Sequence, residues 1–535
     1  MLAKYSLTTE ERGRGSKSTH ATCGIGDQPQ VFIKLNLGKE ECYWSKIEAM
    51  NGVHEDVLGA VRTTFSSGRT RGVAWRKAQL QAILKLLVEN EDDIFEALKQ
   101  DLGKHPVESY RDEVGVVKKS AINALHCIEK WMAPQKGRIP LVFFPARGAV
   151  VSQPLGVVLI FVSWNFPISL ALDPAIGAIS AGNTIVLKPS ELAPKCSSFL
   201  ANAIPRYLDP EAIKVVEGGK DVAEQLLQLK WDKIFFTGSP RVGRLIMSAA
   251  AQHLTPVTLE LGGKCPIIFD RISNSSDLQV AVKRVAGGKW GACNGQACIG
   301  IDYVLMETQF APVLIELLEK FIKKFYGESL KTLENLTRIV NKYHFDRVHN
   351  LLKDPKVAAS VVYGGSVDEE NMVIEPTILL NPPLDADIMT EEIFGPLLPI
   401  ITLNNIEESI QFINSRPKPL AIYAFTKNDS LKEKILQETS SGSLTFNDAM
   451  VQFVCDTLPF GGVGQSGHGR YHGKYSFDTF SHEKAVLHRS FLIELEPRYP
   501  PWNNFKLEFV RLAYDYNYVG LILLLLGLRG IFRTN

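Results

Sequence analysis

The chain has no cysteine pair spaced as CxxC and no cysteine–histidine cluster at zinc spacing. Its eight cysteines, at 23, 42, 127, 196, 265, 293, 298 and 455, are scattered and mostly flanked by apolar residues. No metal is expected from that pattern, and it suits a reducing compartment better than a disulfide scaffold. An excess of charge of one sign is also missing. The formal net charge is +1, so there is no electrostatic footprint for nucleic acid and no such partner is expected. Residues 1–49 lack the apolar run that a secretory signal needs. Glu10, Glu11, Glu40 and Glu41 sit badly with a plastid-type transit peptide, which is poor in acids. These residues read as a disordered extension, leaving the cytoplasm as the expected location and the plastid as an alternative. The apolar stretch near the C-terminus, Tyr518 to Leu528, is 11 residues long, short of the ~20 that cross a bilayer.

What is present is ample core material: 45% of 535 residues are apolar, enough for two or three domains. From Val53 to Leu102, and again over 109–132, apolar residues recur at helical spacing, and these helices read as packing elements with no chemistry of their own. At Pro145 the pattern changes. Gly156–Val162, Thr184–Leu187, Ile213–Glu217 and Lys233–Phe236 read as strands. They alternate with helices at Pro174–Ala181, Ala193–Leu208 and Val222–Leu229. Alternation of that kind predicts an α/β fold with a parallel, doubly wound sheet. Tyr303–Met306, Ala421–Phe425 and Ser443–Phe446 are strand-like in the second half, and Val313–Tyr326 is helical.

The chemistry-bearing stretch is Trp290-Gly-Ala-Cys-Asn-Gly-Gln-Ala-Cys298, where small and polar residues leave the Cys298 sulfur reachable. Upstream, Thr258-Leu-Glu260-Leu-Gly-Gly-Lys264 offers a carboxylate in an apolar, glycine-flanked setting, as a base beside a thiol would need. Ser163-Trp-Asn165-Phe-Pro167 offers a side-chain amide. Gly238-Ser239-Pro-Arg-Val-Gly243, between a strand and a helix, is a candidate phosphate turn, although its G-x-x-x-x-G spacing is neither dinucleotide fingerprint nor P-loop. Lys188-Pro-Ser-Glu191 follows a strand end, and Glu392-Ile-Phe394-Gly-Pro396 reads on its own as a loop with a proline turn. Phe460, in a glycine-rich loop, either lines a substrate tunnel or anchors a turn. His468 and His472 stand four apart, but Gly469 intervenes and no third ligand is evident.

Together these segments resemble the aldehyde dehydrogenase superfamily, from about residue 50 to 501. The resemblance is strongest to plant-type members of its class 3 branch, which carry similar Gly-Lys-Trp-Gly and Asn-Gly-Gln-Ala-Cys runs. It implies a Rossmann-type NAD-binding domain (50–260), a catalytic domain (261–457), an active-site loop and oligomerisation segment (458–496, with 144–154) and an apolar tail (497–535). It further implies NAD, or NADP, held by Lys188, Glu191, Gly238, Ser239, Gly243, Glu392 and Phe394. Cys298 is then the nucleophile, Glu260 the base, and Asn165 an oxyanion donor. Phe460 lines the pocket for a medium- to long-chain or lipid-peroxidation-derived aldehyde, and the enzyme is a homodimer. Cys293 reads as a bystander. A coenzyme A-dependent acylating enzyme and a membrane-associated scaffold without activity are the rival readings. For the tail two readings stay open: packing on the protein's own body, or lying flat on the cytosolic face of an endomembrane with Lys506, Arg511, Arg529 and Arg533 near headgroups.

Overall fold

Strands buried on both faces require cover above and below, and Val157–Phe161, Thr184–Lys188 and Cys265–Phe269 are buried at every residue. The computed structural model describes residues 54–327 and 336–528; the extension expected over 1–49 lies outside them. The described residues from Leu58 onward pack as one unit.

Its first sheet is six-stranded, in the order Gly467–His468, Val257–Leu261, Lys233–Gly238, Val157–Phe161, Thr184–Lys188, Ile213–Val215. All pairs are parallel except the two-residue strand Gly467–His468, which runs antiparallel to Val257–Leu261. Chain progression reverses between Val157–Phe161 and Lys233–Gly238. The crevice at that switch point, beyond the strand C-termini, is where doubly wound sheets take their ligands. Asn165, Lys188, Ser239 and Glu260 all lie at or just beyond these strand ends.

The second sheet is seven-stranded: Val361–Tyr363, Thr377–Leu380, Leu397–Leu403, Ile301–Glu307, Cys265–Phe269, Ala421–Phe425, Ser443–Phe446. Only Val361–Tyr363 pairs antiparallel. Cys298 lies on the loop that enters its strand Ile301–Glu307. A third sheet joins Gln135–Gly137, Arg147–Pro154 and Ser481–His488, antiparallel and largely uncovered.

Several boundaries differ from the sequence expectation. The helix expected from Pro174 starts at Ser169 and contains that proline. Its start is capped from afar, because the Glu113 carboxylate accepts the N–H groups of Ile168 and Ser169 at 3.1 and 2.8 Å. The helix expected over 109–132 begins at Pro106 and opens into a π turn at Tyr110–Val114 before continuing as Gly115–Met132. The tail forms two short helices, Asn504–Tyr514 and Tyr518–Leu525, packed on one another through Phe509, Leu512, Leu521 and Leu524 and against Val142 and Leu495. Lys506, expected near headgroups, is instead buried and donates to the Tyr499 carbonyl at 2.7 Å. Arg511 is exposed, and Arg529 and Arg533 lie outside the described residues.

Gly467 locks the base-bearing strand edge. It pairs with Glu260 and has φ +148°, and a Cβ there would strike the Leu259 carbonyl oxygen. Gly467→Ala is expected to cost at least about 1–2 kcal/mol from backbone strain and to lower the thermal unfolding midpoint. An unchanged midpoint would show that this edge is not held by the glycine.

Candidate active site

Cys298 sits in a tight loop whose shape depends on rare backbone conformations. Cys293, Asn294 and Gly295 all have positive φ (49°, 50° and 78°), and such strain persists only where the surroundings impose it. Here they do. Gln296, fully buried, donates through Nε2 to the carbonyls of Cys293 and Arg338, both at 3.0 Å, and accepts the Val340 N–H at Oε1 (3.2 Å). The Cys293 N–H donates to Glu108 at 2.6 Å. Cys293 itself is sealed in, with its Sγ 3.5 Å from the Asn165 carbonyl, whereas Cys298 is only half-buried.

Three ionisable groups share the cleft. Burial first, then the charges of Glu392 and Glu260, push the Cys298 thiol up to about 12. The N–H groups of Cys298 and Ile299 pull the other way, since both point at the sulfur. Glu260 is 2% exposed, and neither carboxylate oxygen has a hydrogen-bond partner among the described residues. Burial alone raises its carboxyl well above the usual range. Glu392 rises to about 8 through burial and the neighbouring Asp302 carboxylate, opposed by the Gly263 N–H, Arg347 and Lys264.

Asn165 closes the group. It is 2% exposed, and its Nδ2 donates to the Gln296 carbonyl at 3.0 Å. A primary amide has two N–H donors, so one remains for a ligand. This bond ties the Asn165 turn directly to the loop bearing Cys298.

On the dinucleotide side, Lys188 is buried and its Nζ reaches the exposed Glu191 at 2.5 Å. Gly238 lies so close to the Phe236 ring that a Cβ would come within 2.5 Å of it, and Gly243 packs on Leu261. The helix Pro240–His253 starts here, with Pro240 lacking an N–H and Ser239 Oγ accepting the Val242 N–H at 3.4 Å. Fewer free N–H groups therefore face outward than a glycine-rich phosphate loop offers. Across the cleft, the Glu392 carboxylate presses on Gly262, and Phe394 (φ 48°) meets the Trp164 ring edge-on at 5.4 Å. A carboxyl approached by the Gly263 N–H, a helix N-terminus and an apolar ring wall suit a ribose, a pyrophosphate and a nicotinamide ring.

Sequence reading passed over the side chains that hang the 391–394 segment. Lys264 donates to the carbonyls of Ile388 and Glu391 (2.8 Å each) and pairs with Asp302. Asp302 accepts the Ile393 N–H at 3.0 Å, and Arg347 donates to the Ile393 carbonyl at 2.6 Å. Asp302 was detectable, as a lone acid opening an apolar strand. Arg347, on an ordinary amphipathic helix, gave no signal. Phe460 is 5% exposed and its ring stacks on His472 at 5.1 Å, beside Phe453 and Tyr471. His472 is buried next to Asp173 (3.4 Å).

The description "aldehyde dehydrogenase family" belongs to a family model that matches residues 44–486. Aldehyde dehydrogenase family 3 member F1 of Arabidopsis thaliana is 62% identical over 483 residues, which cover 90% of this chain and 100% of that protein. The fold is similar to that of Staphylococcus aureus AldH in its substrate-bound state, with a TM-score of 0.83 and 38% identity over 86% of this chain and 99% of that one. An NAD-dependent aldehyde dehydrogenase from Sinorhizobium meliloti matches with a TM-score of 0.75 at 26% identity, covering 83% and 88%.

A thiol raised to about 12 is protonated at neutral pH. In the cofactor-free protein, alkylation of Cys298 by iodoacetamide, followed on its peptide by mass spectrometry, should keep climbing beyond about pH 9, because only thiolate reacts. A plateau near neutrality would contradict this electrostatic picture.

Proposed function

The chain belongs to the aldehyde dehydrogenase family, and on that footing we propose the part each residue takes in the reaction. The enzyme oxidises an aldehyde to a carboxylic acid, with NAD or NADP as cofactor. The observation that supports the roles is that a half-buried thiol feels the charge of an unpartnered buried carboxyl, while an amide with a spare N–H is bonded to the thiol's own loop.

Cys298 loses its proton to solvent, and the thiolate sulfur adds to the carbonyl carbon. The charge that moves onto the carbonyl oxygen is met by the free N–H of Asn165 and the backbone N–H of Cys298; losing one such donor typically costs about 10²–10³ in rate. The chemistry supplied by the bound dinucleotide is acceptance of a hydride, which takes the carbon held on Cys298 to the thioester level. Glu260 then draws a proton from water, the resulting hydroxide attacks the thioester, and the acid leaves as Cys298 is freed. A water-activating carboxylate leaves no need for coenzyme A as acyl acceptor.

Lys188 and Glu191 would hold the adenosine ribose, Gly238, Ser239 and Gly243 the pyrophosphate, Glu392 the nicotinamide ribose, and Phe394 the ring's edge. We assign 50–260 to dinucleotide binding, 261–457 to catalysis and 458–496 to the active-site loop and subunit contact. The substrates we favour are medium- to long-chain or lipid-peroxidation-derived aldehydes, in keeping with the aromatic cluster Phe453, Phe460 and Tyr471. Phe460 would back that wall instead of lining it.

We also propose a homodimer, built on the uncovered sheet whose edge strand is Ser481–His488, since open edges invite pairing. No described helix is long and apolar enough to cross a membrane. The tail exposes Trp502, Val519, Ile522 and Leu525 at 56–70%. We read that face as a peripheral contact with the cytosolic side of a membrane, the enzyme being otherwise cytoplasmic.

Cys298→Ala should abolish turnover while NAD binding stays measurable. Glu260→Gln should keep a burst of NADH but slow the steady rate. Because the Glu260 carboxyl is raised, its basic form grows with pH, so wild-type steady turnover should rise with pH above neutrality and that rise should vanish in Glu260→Gln. Equal loss of burst and steady rate would remove Glu260 from the hydrolytic step. Deleting residues 504–535 should abolish co-sedimentation with anionic vesicles and leave turnover intact; unchanged co-sedimentation would refute the tail contact.

A further inference from the structure

Helices of the N-terminal region read in the sequence as packing, yet between Lys104 and Glu113 their polar side chains reach both catalytic loops. Lys104 follows Gly103, which ends the helix Glu91–Leu102 in a left-handed conformation (φ 71°). Both side chains of the Lys104–Glu113 ion pair are 0% exposed, and the pair is 2.7 Å long. Lys104 Nζ also donates to the Asn165 carbonyl at 2.8 Å and lies 4.2 Å from the Phe166 ring centroid. The second oxygen of Glu113 accepts the N–H groups of Ile168 and Ser169. The hydrogen bonds that this pair makes beyond itself thus go to the backbone of residues 165–169.

Neighbouring side chains reach the other loop. Glu108 accepts the Cys293 N–H at 2.6 Å and the Thr337 hydroxyl at 2.7 Å, and Arg111 donates to the Gly291 carbonyl at 2.6 Å. In a regular α-helix, residues five apart point about 140° away from each other. The π turn at Tyr110–Val114 narrows that angle and lets Glu108 and Glu113 serve adjoining loops. Such turns recur at functional sites.

Stability alone is a poor reason for this arrangement. Taking both charges out of water is costly, and an apolar pair of similar volume often holds a fold as well or better. What an apolar pair cannot do is hold one carbonyl oxygen and two N–H groups at set positions. We propose that Lys104 and Glu113 are positioning residues that fix the Asn165 turn, and with it the amide donor, against Cys298. The proposal rests on the reading of Asn165 as an oxyanion donor given above.

The test uses the full-length enzyme and the variants Lys104→Met, Glu113→Gln, Asn165→Ala and Lys104→Met/Asn165→Ala. Reactive Cys298 is counted by alkylation, so that kcat is expressed per competent site, and NAD affinity is measured by fluorescence. Asn165→Ala should lose about 10²-fold or more in kcat. Lys104→Met should lose about 10²-fold per competent site, as misplacement of a reacting group does, with NAD affinity within about two-fold of wild type. The double variant should be no slower than Asn165→Ala alone. Glu113→Gln keeps an acceptor for the two N–H groups but removes the counter-charge. It should lose about 10-fold, and it decides the matter if Lys104→Met does not fold. Wild-type kcat per competent site in the deciding variant, or losses that multiply in the double variant, would overturn the positioning role while leaving Asn165 in place. Wild-type turnover by Asn165→Ala would instead overturn the oxyanion reading, and this proposal with it.

Discussion

Burial without partners governs this cleft. Glu260 is enclosed with both oxygens unbonded, Glu392 is pressed against Gly262, and the Cys298 thiol lies between their fields. In such surroundings each group resists ionising, and the charges of Glu392 and Glu260 add to the resistance of the Cys298 thiol. The resting arrangement is therefore protonated and quiet. The N–H groups of Cys298 and Ile299 at the sulfur, and the Gly263 N–H with Arg347 and Lys264 at Glu392, oppose that tendency.

A dry cleft of this kind places strict demands on the loops around it, since a donor displaced by an ångström loses most of its worth. The two sheets supply the rigid frame: ligand-facing loops leave the C-terminal ends of the first, and the nucleophile loop enters a strand of the second. Each loop is then tied by buried or half-buried polar side chains that do not react. Lys264, Asp302 and Arg347 hold 391–394, Gln296 and Glu108 hold 293–298, and Lys104 and Glu113 hold 165–169. The bond from Asn165 to the Gln296 carbonyl joins two of these systems directly.

Much of the scaffold was legible in advance. The continuous apolar runs at 156–162 and 233–236 became buried parallel strands, and Ala421–Phe425 and Ser443–Phe446 appear with the expected ends. For the first three, local patterning succeeds because a strand buried on both faces needs apolar residues almost throughout, whatever its neighbours. Patterning failed where a distant group set the outcome. The helix at Ser169 starts early because Glu113, 56 residues away, caps it. Lys506 turns inward because Tyr499 offers a carbonyl.

The reactive set could be picked out from sequence because chemistry constrains residue type: a thiol in a small-residue loop, a carboxylate between apolar and glycine neighbours, and an amide before a proline turn, in an order that matched a known family. That reasoning extends to what a residue is, and stops short of what holds it. Lys104, Glu108 and Glu113 look in sequence like the polar face of amphipathic helices, since nothing local distinguishes a charge that meets water from one that meets a backbone carbonyl far along the chain. Only folding, by bringing residue 104 against 165 and residue 108 against 293, decided that the Lys104–Glu113 pair would be sealed in and that all three side chains would bond backbone groups far along the chain. The reason is physical: charge placement depends on the local dielectric, and the dielectric belongs to the packed structure.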